Sequence, residues 1–347
     1  AVEEARHLDD DAALAEVLSA RHTLGGPDDL DQQLADATLV VDIAQRTGDW
    51  DLELRGRGWR LVDLLAGGQV EATWQEMEGH AQLARRLDDP IHLRDVTAWQ
   101  ALRAALAGRF HEAERLIEEA YRLGHGAGDP SAELLRSRQR WMIVFLRGRR
   151  EDFDDLAAGL QNLATLSQRG HGFKLVLANL HARLGLRDQA RAWLDEVGYG
   201  DYTQLPRDVL WLDHLTFAAN ASTFVADMPR ATQLYELLRP YADRFTVVDR
   251  AHETYGSVSR SLGLLATLLG RFDEAEVHFE AALDHHQRLA SPPFVALTQA
   301  GYAQMLAARG GPGDEERAEE LDREAHAIAK EFGMQLPDDE HWPVNLR

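Results

Sequence analysis

The sequence predicts an all-α protein, a right-handed helical-repeat solenoid of about seven to eight antiparallel helix pairs. Three observations predict it. Residues 108–121 read GRFHEAERLIEEAY and residues 270–283 read GRFDEAEVHFEAAL, nearly one phrase written twice. Gly68, Gly108 and Gly148 fall 40 residues apart, Gly185 follows, and the interval to Gly270 has room for further units. Asp49, Asp89 and Asp129 keep the same 40-residue interval. A fixed period near 40 marks stacked two-helix units, each of which buries its apolar face only against its neighbours.

The elements follow in order. An early pair covers roughly 11–23 and 28–47. First helices then span roughly 50–66, 90–107, 130–147, 171–184, 206–225, 250–269 and 293–309. Second helices span roughly 69–87, 110–127, 150–168, 187–197, 228–244, 271–289 and 315–332. Asp89-Pro90, Asp129-Pro130 and Ser291-Pro292 each set a capping side chain before a proline, whose missing N–H costs nothing in a first helical turn. The periodic glycines permit the tight turn inside each pair. Ala275, Phe279, Ala282 and Leu283 share one helix face. With Gly263 they resemble the small–large–small packing of the tetratricopeptide repeat, stretched by about six residues per unit. Ala113, Ile117 and Ala120 echo the pattern, as do Ala190 and Leu194. Residues 198–205 read as an irregular insert. No run alternates as a half-buried strand would, so no sheet is expected. Repeats are expected over 1–335 and a separate tail over 336–347, with Trp342 packed on the last pair.

Bulk chemistry narrows the function. The chain has 347 residues, 45% of them hydrophobic, enough for a sizeable core. It has no cysteine, which excludes disulfides, thiolate metal sites and cysteine nucleophiles. That is compatible with the cytoplasmic location expected. A net charge of −21 opposes phosphate backbones and anionic membranes, so neither nucleic acid nor membrane is an expected partner. No apolar run is long enough to span a bilayer. The start, AVEEARHLDD, carries no signal-peptide pattern and no initiator Met, and reads as the interior of a longer chain.

No catalytic constellation emerges. Lys174 follows Phe173 and Lys330 follows Ala329, so neither lysine belongs to a phosphate-binding loop. No Gly-x-Ser-x-Gly elbow occurs. His111-Glu112 and His252-Glu253 begin like a zinc-protease helix, but Arg115 and Gly256 stand where the second histidine belongs. His278, His285 and His286 read as a solvated helix face rather than a metal site. Trp59, Trp99, Trp141, Trp193 and Trp211 read as packing between units. No cofactor and no metal is expected, and the chain does not read as an enzyme.

Beyond the repeat, the segments LSARHTLGGPDDLDQQL (18–34), RGRGWRLVDLLAGG (55–68), GDPSAELL (128–135), LPRDVLWL (205–212) and GSVSRSLGLLATLLGRFDEAEVHFEAAL (256–283) resemble a known region. It is the long C-terminal repeat region of large bacterial signalling ATPases. These include LuxR-type regulators, AAA-type transcriptional activators and cyclase-linked ATPases, common in actinobacteria. The similarity covers about 1–335. It implies an NTPase module upstream and repeats that sense a ligand or partner. It carries over no functional residue, because this region of the family has no fixed motif.

The expected activity is therefore binding of a protein partner, a peptide or a small effector on the concave face formed by first helices. Aligning units on their glycine turns puts Arg57, Arg138, Asn179, Asp213, Asn220 and Arg260 on that face, with Arg60, Arg103 and Arg140 nearby. Arginine forks would anchor acidic groups, unless they pair with the chain's own carboxylates. Two alternatives stand beside this reading: a pure scaffold or oligomerisation segment, and an enzyme built on a solenoid. An uncovered terminal unit would favour end-to-end association of copies. The charge yields a first test. A fluorescence-anisotropy titration at about 0.1 M salt should show no binding to random duplex DNA at micromolar protein, and salt-dependent micromolar binding would overturn the charge argument.

Overall fold

The computed structural model describes residues 10–166, 170–197 and 201–337. Sixteen α-helices among them form eight consecutive pairs. The pairs are α1 (Asp11–Leu24) with α2 (Leu30–Thr47), α3 (Trp50–Ala66) with α4 (Val70–Leu87), and α5 (Pro90–Leu106) with α6 (Phe110–Gly126). Then come α7 (Ala132–Arg147) with α8 (Arg150–Leu166), α9 (Gly170–Arg183) with α10 (Arg187–Glu196), and α11 (Trp211–Phe224) with α12 (Met228–Leu238). The last are α13 (Val258–Leu268) with α14 (Phe272–Arg288), and α15 (Pro292–Arg309) with α16 (Asp314–Phe332). Partners pack on each other, and the second helix of each pair packs on the first helix of the next. The protein is all-α with helical-repeat architecture, and no helix among the described residues is long and apolar enough to cross a membrane.

The punctuation works largely as the sequence predicts. Gly68, Gly108, Gly148, Gly185 and Gly270 all take left-handed φ values of 69–75°. Asp49 accepts the Leu52 N–H at 3.0 Å, and Asp89 accepts those of Ile91 and His92 at 2.9 and 3.1 Å. Two caps differ. Asp129 closes a turn on the Ser131 N–H at 2.9 Å, and α7 starts only at Ala132. The Ser291 hydroxyl makes no capping bond. Phe279 lies where the repeat pattern puts its large residue. A Cβ on Gly263 would sit 3.0 Å from its ring, so the glycine is what lets α13 and α14 approach.

The expectation of no sheet is corrected. The predicted first helix 250–269 begins at Val258, and the predicted helix 228–244 ends at Leu238 in a short 3-10 turn. Between them β1 (Phe245–Val248) and β2 (Glu253–Ser257) form an antiparallel hairpin. Phe245 pairs with Ser257 and Val248 with Glu253, with a register shift after Thr246. Gly256 takes φ +84° at that shift, and a Cβ there would come 2.7 Å from His286 Nε2. All nine strand residues are buried. A strand buried on both faces loses polar/apolar alternation, and this removed the signal that would have exposed it. Likewise α11 begins at Trp211 rather than near 206, after an irregular stretch holding a 3-10 turn at Tyr202–Gln204.

The hairpin fills the inside of the array. β1 packs on α3 and α11, and β2 packs on α7, α13 and α14, so mainly first helices converge on it. The array also folds back on itself. α15 reaches α5 and α7, and on the opposite side Asp28 meets both Arg207 and Tyr241. The segment after α16 crosses the inner side too, where the Gln335 N–H donates to Arg147 O at 2.7 Å. Trp342 and the rest of the predicted tail beyond Pro337 lie outside the described residues.

Truncating Phe279 tests the packing of the repeat. This fully buried ring stacks on Tyr302 at 5.6 Å and fills the space beside Gly263 and Gly301. Phe279→Ala should cost about 3–5 kcal/mol in urea unfolding with an unchanged m-value. A loss below about 1 kcal/mol would show that the unit interface repacks.

Candidate functional site

The hairpin is held by charges that the repeat helices bring inward. Asp95, completely buried on α5, lies 3.2 Å from His252 Nε2 and 3.2 Å from Arg250 Nη1, and also pairs with Arg94 at 2.5 Å. Arg138 on α7 donates to Glu253 Oε2 at 3.1 Å and to Asp249 Oδ2 at 3.2 Å. Backbone contacts complete the seat. Trp99 Nε1 donates to Arg250 O at 2.8 Å, and Gln139 Nε2 donates to both Ala98 O and His252 O. Burial alone would raise Asp95, but His252, Arg250 and Arg94 hold it well below the usual carboxylate range. Burial opposes charge on His252, yet Asp249 and Asp95 keep its pKa above the ordinary imidazole value.

The other end of the hairpin corrects a second expectation. His285 and His286 are buried rather than solvated. His285 Nδ1 meets Ser257 Oγ at 2.7 Å, His286 Nε2 accepts the Ser257 N–H at 2.9 Å, and His286 Nδ1 meets Thr298 Oγ1 at 2.9 Å. Burial pushes the pKa of His286 well down, so it is a neutral acceptor. His278 instead meets the Tyr235 hydroxyl at 3.1 Å. No group of metal-binding side chains is assembled among the described residues.

Two cavities flank the hairpin. One, of about 330 Å³, lies between the first two pairs, β1 and the loop before α11, and is lined by Trp59, Leu30, Val62, Leu212 and Val247. The other, of about 290 Å³, lies between α7, α9, α11 and the hairpin, with walls of Leu134, Trp141, Phe173, Val176, Phe217, Val248 and Tyr255. Arg138, Asp208, Leu210 and Asp213 line both. At this shared seam polar atoms go unmet. Asp213 Oδ2, Glu253 Oε1 and Arg138 Nη2 are buried and have no hydrogen-bond partner. Asp213 is 2% exposed. Burial raises its carboxyl pKa well above the usual range despite Arg138, which favours the protonated form that can donate. Burial also raises Glu253, to about 7, with Arg138 opposing. In the first cavity Trp59 Nε1 is unmet as well, while the ring stacks on His22 with centroids 4.4 Å apart.

The sequence-nominated residues separate into three sets. Arg57 pairs with Glu53 and Glu76 at 2.9 and 3.0 Å and ties α3 to α4. Arg60 pairs with the same Glu76, and Arg103 lies 5.1 Å over the Trp74 ring. Arg138 and Asp213 meet at the two cavities. Asn179 and Asn220 form a ladder with Ser261, each rung 41 residues from the next: Ser261 donates to Asn220 at 2.9 Å and Asn220 to Asn179 at 3.2 Å. Arg260 joins this third set. The aromatic wall of the second cavity was missed as a wall. Trp141 reads from the sequence as packing between units, the sequence singles out neither Phe173 nor Phe217, and the hairpin borders the space beside all three. Trp99, Trp141 and Trp211 are buried as expected.

No protein-family model matches the chain, and no curated protein matches it.

The seam has a pH signature. Glu253, Asp213 and His252 all carry folded-state pKa values above their unfolded ones. At these three groups the native state holds protons that the unfolded chain releases, so their contribution falls as pH rises. For Glu253 the window runs from 4.5 to about 7, a difference on the order of 3 kcal/mol. Buried histidines such as His80 and His214, held down to about 3 and about 4, act in the opposite direction. The readout is therefore the difference between Glu253→Gln and the parent chain in urea unfolding from about pH 5 to pH 8. The variant should gain stability relative to the parent as pH rises, and a constant difference would mean that Glu253 is ionised at no cost.

Proposed function

We propose that this chain is the effector-sensing repeat domain of a bacterial signalling or transcriptional regulator acting in the cytoplasm. The effector binds beside the hairpin rather than along an open groove. The single observation that carries this is the apolar cavity between α7, α9 and α11, with the unmatched Asp213 Oδ2, Glu253 Oε1 and Arg138 Nη2 at its seam. A buried polar atom without a partner costs about 1–3 kcal/mol, and a ligand supplying the partner recovers that cost. Largely apolar walls with a few convergent polar groups are the usual composition of a small-molecule site.

The chemistry selects the effector. A cavity of about 150 Å³ holds benzene, so about 290 Å³ suits a ligand of roughly one or two rings. The aromatic walls favour a flat, apolar body. The unmet Arg138 nitrogen is a donor, and burial favours the protonated, donating form of Asp213, so the ligand presents a carbonyl or carboxylate oxygen to them. Because the cavity abuts β1 and β2, occupancy acts directly on the hairpin that the first helices surround. The similarity to repeat regions of signalling ATPases supports a sensing role of this kind.

Native mass spectrometry of the purified chain and a thermal-shift screen of monocyclic and bicyclic aromatic acids test the reading. Ligands found this way should lose at least 10-fold in affinity in Val176→Phe, which fills the cavity. They should lose about 10- to 150-fold in Asp213→Leu, which removes a donor. Undiminished affinity in both folded variants would remove the effector from this cavity.

A further inference from the structure

A second site lies further along the inner face, and its oddity is electrostatic. In a chain of net charge −21, two arginines are buried with no carboxylate paired to them among the described residues. Arg260 on α13 is 6% exposed, its Nε is unmet, and it has no hydrogen-bond partner among the described residues. Arg183 at the end of α9 is 7% exposed. Among the described residues it donates only to main-chain oxygens: Phe145 O at 2.9 Å, Leu146 O at 3.4 Å and Gln335 O at 2.5 Å. Those oxygens at the end of α7 offset part of its charge through the helix dipole. Gly148, with φ +69°, makes room, since a Cβ there would overlap the Arg183 guanidinium.

The two cations act on each other. Burial and then the charge of Arg260 pull Arg183 down to about 9, and burial pulls Arg260 down to about 10. Both still carry charge at neutral pH. An isolated buried cation is among the costlier features a fold can carry. Between them is a cavity of about 50 Å³, also lined by Asn179, Asn220 and Pro337. Asn179 Nδ2 is buried and unmet there. Guanidinium and amide donors thus converge on a space of several waters' volume with no acceptor charge facing them.

We propose that this cavity is an anion site, taking one carboxylate or phosphate-type head group held by Arg260, Arg183 and Asn179. The site is separate from the aromatic cavity of the proposed effector, which none of these three residues lines. Two sources share that chemistry. One is a free oxoanion. The other is the chain itself, whose sequence continues from Pro337 into Asp338, Asp339 and Glu340.

The probe is inorganic phosphate, titrated calorimetrically at constant ionic strength, with melting temperature measured in parallel. The proteins are the full chain, Arg260→Met, Asn179→Leu and the triple variant D338N/D339N/E340Q. Phosphate should bind the full chain and raise its melting temperature. Arg260→Met should abolish both effects while melting higher without phosphate, because an uncompensated buried charge is gone. Asn179→Leu keeps both cations and should weaken binding about 5-fold or more, so the proposal does not depend on the arginine variant folding. Binding confined to the triple variant also supports the anion site and assigns its usual occupant to the chain's own carboxylates. Absence of phosphate binding in both the full chain and the triple variant overturns the proposal, as does unchanged binding in folded Arg260→Met.

Discussion

The fold depends on the pairing of Asp95 with His252 and Arg250. A two-stranded hairpin is marginal on its own in water. This one is buried on both faces inside a helical array, where each charge at its turn must be matched. Asp95 comes from α5, more than 150 residues earlier in the chain, and reaches the turn only because the array curls round. Desolvating such a pair costs about as much as its attraction returns. Its value is positional: removing Asp95 would leave the buried His252 without its carboxylate from α5 and the half-buried Arg250 without an anchor. Apolar packing would tolerate β1 and β2 in several registers, whereas the ionic contacts and the Gln139 and Trp99 bonds admit one.

That constraint explains why the protein has cavities instead of a groove. First helices of a repeat array present their small and polar residues inward. Without an insert these would line an open concave surface. The hairpin occupies the middle of that surface, and the spaces left on its two sides become separate, partly open cavities. Arg138 is shared between structure and site for the same reason. Two of its nitrogens hold Glu253 and Asp249, and the third faces the seam unmet. A ligand that engages the third nitrogen therefore pulls on the residue that anchors the hairpin turn.

The helical part was legible because its signals are local and repeated. Asp49, Asp89 and the glycines from Gly68 to Gly270 act on the backbone within a few residues of themselves, and their spacing carries the architecture. The 41-residue ladder of Asn179, Asn220 and Ser261 shows that period also governs which side chains meet. The hairpin was not legible. FTVV is only four residues long and shows no polar/apolar alternation, and ETYGS leads without a break into α13. Its strand character comes from partners far away in sequence. The two buried histidines were misread for a related reason. On a helix diagram His285 and His286 lie near Asp284 and Arg288 and look solvated, but the surface they face exists only once β2 is in place.

The distribution of charge carries the last step. Net charge describes what a distant partner meets, and here it repels phosphate. It does not describe the interior. The acids are mostly exposed or already engaged by arginines, whereas Arg183 and Arg260 are sequestered without a carboxylate partner among the described residues. The same chain that excludes a polyanion from its outside therefore favours a single small anion within. His286 joins this region to the hairpin, since it accepts the Ser257 N–H and also feels the charge of Arg260. Neutralising that charge would ease the restraint on protonating His286, and a protonated ring could no longer accept the Ser257 bond. The hairpin is thus bordered at its turn by the Asp95 pairing and at its base by a histidine sensitive to the nearby cation. Both ends of the one element that closes the interior are under electrostatic control.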